Sequence, residues 1–106
     1  MTDAERKAVP LASLFDYFPD ALIECAQIMA AGGRQHETGG GWDKSKSSDH
    51  RNTMLRHFLQ AGTVDSDGRL HSGKVAVRAL MALQIEIETT RQGSARQGQR
   101  RKKTGK

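Results

Sequence analysis

Apolar residues fall into four groups along the chain, separated by long polar stretches. Leu11, Leu14, Phe15 and Phe18 follow Pro10 in a run too short for a stable isolated helix, so it reads as a helical turn or an extended arm packed on the body. Leu22, Ile23, Ala26, Met29 and Ala30 recur at the 3.6-residue period and predict a helix over 19–31. Pro19 suits its first position, Asp20 its positive end, and Gly32-Gly33 its termination. Met54, Leu55, Phe58 and Leu59 form the stripe of a second helix over 48–61. Ser47 or Ser48 is placed to cap it, Asp49 favours its dipole, and Gly62 stops it. Val75, Ala76, Ala79, Leu80, Leu83 and Ile87 predict a third helix over 72–89. Val77, Met81 and Ile85 widen that face almost all round, which marks the helix as the most buried and as a candidate oligomer interface.

The polar stretches complete the organisation. Residues 1–9 read as a flexible N-terminus, 10–90 as the folded domain and 91–106 as a disordered basic tail. Residues 32–46 form a long glycine-rich loop in which Trp42 needs somewhere to pack. Thr63 to Leu70 reads as a tight turn or mini-hairpin, with Asp67-Gly68 supplying positive φ. The expected fold is therefore all-α: a small bundle of about three helices with a glycine-rich loop and a short turn between the second and third. A chain of 106 residues with 36% apolar content builds a modest core, so a homo-oligomer is expected.

Charge changes this picture only at the C-terminus. The formal net charge is +5. Arg91, Arg96, Arg100, Arg101, Lys102, Lys103 and Lys106 contribute seven positives with no acid among them. Removing those seven from seventeen leaves ten basic against twelve acidic residues, a body of net −2. The tail alone offers weak, non-specific nucleic-acid binding, and without aromatic residues it has no stacking platform. One cysteine, Cys25, excludes an intrachain disulfide and fits a reducing cytoplasm. Its apolar surroundings predict a buried thiol. No apolar run approaches membrane-spanning length, and the N-terminus lacks a signal-peptide core, so no membrane partner is expected.

Candidate chemistry concentrates between Gly40 and Glu88. His50 and His57 lie two turns apart on the second helix, roughly 10 Å along its axis, too far to chelate one ion alone. Asp65-Ser66-Asp67-Gly68 begins like a calcium loop but lacks its distal ligands. Arg56 and His57 precede this turn, and His71, Lys74 and Arg78 follow it at helical spacing. Two carboxylates with flanking cations at a helix start can hold a magnesium-phosphate group; a solvated salt-bridge cluster is the plainer alternative. Lys44 and Lys46 do not fit the spacing of a phosphate-binding P-loop.

One block carries a specific resemblance: Trp42, Lys46-Ser47, Asp49-His50, Arg56-His57, Gly62-Thr63-Val64-Asp65, Asp67-Gly68, His71, Lys74-Val75 and Arg78-Ala79-Leu80. It resembles the N-terminal domain of dATP/dGTP diphosphohydrolase, a family of bacteriophage and prophage proteins. The resemblance implies an α-helical domain associated with hydrolysis of purine deoxynucleoside triphosphates to monophosphate and pyrophosphate. It further implies a divalent metal, magnesium or manganese, with Asp49, Asp65 and Asp67 as ligands. His57 or His71 would orient water or contact phosphate, and His50, Arg56, Lys74 and Arg78 would contact phosphate. The expected location is the bacterial or infected-host cytoplasm. The alternative is a non-enzymatic nucleic-acid or protein interaction module built on the tail and the third helix.

Overall fold

The computed structural model describes residues 1–35, 42, 44 and 49–104. It is all-α, with five helices and no strand among the described residues. The chain falls into two compact units, Met1–Lys44 and Ser45–Lys106. The proposed Ser47 or Ser48 cap and most of the glycine-rich loop lie outside the described residues.

The first unit holds α1 (Asp3–Ala8), α2 (Leu11–Tyr17) and α3 (Pro19–Gln35). α1 forms where a flexible end is expected, because Thr2 caps it: its Oγ1 accepts the Glu5 amide at 3.1 Å. α2 settles the turn-or-arm alternative as a helix, but Leu11, Leu14, Phe15 and Phe18 are all exposed rather than packed. The break between α2 and α3 falls at Phe18, whose backbone leaves the helical region (φ −130, ψ 46). The ring of the following Pro19 disfavours helical geometry at the residue before it. α2 packs against α3. α3 runs through Gly32-Gly33 to Gln35, past the predicted end at Ala31. A glycine inside a helix costs only about 1 kcal/mol relative to alanine, too little to end a helix on its own. Cys25 is buried as expected, and burial, with Glu24 beside it, raises its thiol above the ordinary value.

The second unit is α4 (His50–Phe58), a hairpin turn and α5 (His71–Thr104). α4 and α5 pack together. The predicted apolar stripe of α4 does not form their interface: Met54 is half-buried, but Leu55, Phe58 and Leu59 are exposed. On α5 the predicted face is likewise turned out at Leu80, Leu83 and Ile87, and Val77 is the buried apolar residue. Among the described residues of this unit the other buried side chains are His50 and His71, 5% and 4% exposed. α5 also continues past Thr89 to Thr104. Its extension has no proline to break it.

The turn matches expectation. Gly62 (φ 88) and Gly68 (φ 80) adopt the left-handed conformation, and Val64 pairs with Leu70 in an antiparallel bridge. The Asp65 amide donates to the Arg69 carbonyl at 2.8 Å, and the Gly68 amide to the Asp65 carbonyl at 2.9 Å. The hairpin is tied to α5 as well. The His71 amide donates to the Thr63 carbonyl at 3.1 Å, and the Gly62 amide to Ser72 Oγ at 3.3 Å. These bonds satisfy one of the first-turn amides that a helix start leaves unpaired, and they fix His71 against the turn.

Candidate functional site

Three elements deliver side chains to one point. His57 comes from the last turn of α4, Asp65 and Asp67 from the hairpin, and His71 and Lys74 from the first turn of α5. His57 Nδ1 and His71 Nδ1 lie 2.8 Å apart. At that distance one ring must donate its Nδ1 proton and the other accept it, since two facing lone pairs would repel. His71 Nδ1 is 3.9 Å from Asp65 Oδ2. Lys74 Nζ lies 2.6 Å from Asp65 Oδ2 and 2.8 Å from Asp67 Oδ2.

The two aspartates are oriented by their own backbone. Asp65 Oδ1 accepts the Ser66 amide at 2.7 Å, and Asp67 Oδ1 accepts the Arg69 amide at 3.0 Å. Each therefore uses one oxygen to shape the turn and offers the other to Lys74. The Lys74 hydrogen bond, then the Ser66 amide, pushes Asp65 down to about 2. The Lys74 bond and the Arg69 amide lower Asp67 in the same way. Burial alone would lower Lys74, but the two carboxylates outweigh it and hold the ammonium above its ordinary value. Burial, and then the charges of Lys74 and His71, lower His57 despite Asp65 nearby. The His57 ring is thus neutral at pH 7 and keeps a basic nitrogen.

The remaining sequence candidates lie elsewhere on the same helix pair. His50 Nδ1 accepts from Arg78 Nη1 at 3.2 Å, because a guanidinium can only donate. Arg78 is lowered mainly by burial and then by the charge of Arg56. Arg56 stays on the exposed side of α4, where it donates to Thr53 Oγ1 at 3.0 Å and approaches Asp49 at 4.0 Å. Asp49 begins α4 while His57 lies at its end, roughly 12 Å along the helix axis. It therefore does not join Asp65 and Asp67. His57, Asp65 and His71 instead form a three-donor set, with one ligand atom from each within 4.8 Å of the others. Spacing along the chain did not reveal this pairing of histidines; only the hairpin's return path creates it.

A family model described as dATP/dGTP diphosphohydrolase, N-terminal, matches residues 2–95. The chain belongs to this family. The match covers both compact units and so extends well upstream of the Trp42–Glu88 block. No curated protein and no solved structure matches the chain. Within this diphosphohydrolase N-terminal domain the matched region contains the whole His57–Asp65–Asp67–His71–Lys74 cluster, together with His50 and Arg78. No helix among the described residues is long and apolar enough to cross a membrane.

Proposed function

We propose that this chain hydrolyses purine deoxynucleoside triphosphates to the monophosphate and pyrophosphate at the junction of α4, the hairpin and α5. The observation that carries this reading is the convergence of His57, Asp65, His71 and Lys74 from three elements inside the family region. Packing alone does not favour such a junction. Buried imidazoles must be hydrogen-bonded to be tolerated, and apolar groups of similar shape would serve stability as well or better. The reaction breaks the bond between the α- and β-phosphates and consumes one water. A neutral His57, hydrogen-bonded to His71, can accept a proton from that water and share it with the second ring. Lys74 supplies a cation toward the phosphates. The reaction class calls for a divalent metal, which when bound offsets phosphate charge and acidifies a bound water. Asp65 is the carboxylate positioned to hold one, with Asp67 beside it through Lys74.

The test is pyrophosphate release from each of the four deoxynucleoside triphosphates with magnesium or manganese. We expect turnover of dATP and dGTP, reduced on the order of a hundredfold or more in His57→Ala, as for loss of a general base. No turnover of any substrate, with wild type equal to the Asp65→Ala/Asp67→Ala double variant, would sink the proposal. A second reading, a nucleic-acid interaction module, draws on the bases that α5 carries beyond Thr89.

A further inference from the structure

We propose that His57 Nδ1, His71 Nδ1 and Asp65 Oδ2 form a binding site for a borderline transition-metal dication, zinc by chemical class, rather than a magnesium site. The inference rests on the hydrolase reading for the use of the metal and revises it at one residue, since in a loaded site His57 is a ligand rather than the proton acceptor; the site itself stands on geometry. Two donor separations are 2.8 and 3.9 Å, and one ligand atom from each of the three residues lies within 4.8 Å of the others. A triangle with those sides has its centre about 2.0–2.4 Å from each corner, against roughly 2.0–2.2 Å for zinc bonds to imidazole nitrogen and carboxylate oxygen. An ion fits there once the two Nδ1 atoms part by a few tenths of an ångström and each ring turns its Nδ1 from the other ring toward the ion.

The donor set selects the metal. Two imidazoles and one carboxylate suit zinc, iron, cobalt or nickel, while magnesium requires a shell of oxygens at near-octahedral geometry. The magnesium set expected from sequence does not assemble, since Asp49 lies at the far end of α4 against Arg56. Three protein ligands also leave a coordination position open, the pattern of catalytic rather than structural zinc.

Proton and charge balance both allow the exchange. In the metal-free pair one ring carries its proton on Nδ1 and the other accepts it. When an ion takes both Nδ1 lone pairs, the donating ring carries its proton on Nε2 instead, so no proton is released. Lys74 now shares itself between Asp65 and Asp67. As Asp65 turns to the ion, Lys74 keeps Asp67 and remains in place as a counter-charge. Two carboxylates and one ammonium present one net negative charge to an entering dication. The loaded site then carries one net positive charge, which favours a polyphosphate.

The experiment uses the full-length chain, stripped with a chelator and titrated with cobalt as a spectroscopic substitute for zinc. We expect one equivalent to bind with visible d–d absorption and zinc to displace it, while magnesium in large excess does not. His57→Ala and His71→Ala should each weaken binding at least tenfold, and Asp49→Ala should leave it unchanged. Circular dichroism reports whether each variant keeps its helices. Independently of any variant, long-range 1H–15N spectra of the zinc-loaded wild type should place the metal on Nδ1 of both His57 and His71. The proposal is overturned by the absence of a saturable cobalt site, by coordination through Nε2, by unchanged affinity in folded histidine variants, or by an equal loss in Asp49→Ala. Metal binding without turnover of any deoxynucleoside triphosphate keeps this site and removes the hydrolase reading. Magnesium-supported turnover by a wild type that shows no saturable cobalt site does the reverse.

Discussion

Lys74 holds the acidic turn together by bridging two carboxylates that would otherwise repel each other across a single glycine-terminated loop. The consequence can be read at the residue scale as an acid titration of the metal-free protein. Asp65 is pushed from an ordinary 3.8 down to about 2, first by the Lys74 hydrogen bond. A carboxylate whose folded value is depressed gives stability that is fully present above the unfolded value and is lost as pH falls through the folded one. The Asp65 contribution is therefore intact above about pH 4 and disappears toward pH 2. In Lys74→Met the largest cause is gone, and a carbon-detected NMR titration should find the Asp65 carboxyl moved up toward 3.8. An Asp65 midpoint that stays near 2 in that variant would show that the Ser66 amide, not Lys74, sets it. Asp65 and Lys74 were both legible in the sequence as charged residues around a turn. Their hydrogen-bond partners were not, because which oxygen faces which ammonium depends on the side-chain turn of Asp65 and Asp67.

Among the elements, the glycines separate what local pattern can fix from what it cannot. Asp67-Gly68 was readable as a turn because only glycine takes positive φ without a Cβ penalty, and Gly68 does so at φ 80. Gly32 looked like a helix stop by the same logic, yet it lies within α3. A weak intrinsic penalty of about 1 kcal/mol is easily overridden by a helix already nucleated upstream. The α4–α5 interface escapes the local pattern for a related reason. Periodicity identified helical stripes, but the apolar stripe of α5 and the buried face are different faces, and the latter includes His71. Nothing in a one-dimensional pattern shows that two imidazoles will meet across a twelve-residue connection. The two glycines make opposite predictions on substitution by alanine. An added Cβ meets nothing within 4 Å at either position, so the backbone alone decides the sign. Gly68→Ala should lose about 1–2 kcal/mol through the forced left-handed conformation. Gly32→Ala should gain up to about 1 kcal/mol. Thermal melts followed by circular dichroism should show Tm falling in the first variant and rising in the second. A fall in Gly32→Ala would mean that α3 ends before residue 32 in solution.

For the molecule as a whole, the decisive contrast is between a mildly acidic body and a basic C-terminal stretch that continues α5. Every contact that builds the site lies before residue 75: His57 with His71, and Asp65 and Asp67 with Lys74. The seven bases from Arg91 onward begin more than three helical turns later, roughly 20 Å along α5 from Arg78. They are too far along the helix to touch a phosphate at the site directly. Charge this dense on one helix does, however, attract polyanions through counterion release, with an affinity that falls steeply as salt rises. The two activities should therefore separate on deletion of residues 91–106. The truncated chain should keep cobalt binding and pyrophosphate release within about twofold of wild type, because the field of charges this distant along the helix is screened beyond about 8–10 Å at physiological salt. The same truncation should abolish salt-sensitive retention on single- or double-stranded DNA. A loss of turnover larger than tenfold would place the basic stretch in substrate capture, joining the two functions on one helix. DNA binding that survives the deletion would instead move the nucleic-acid surface onto the body, where ten bases and twelve acids leave no net positive charge to provide it.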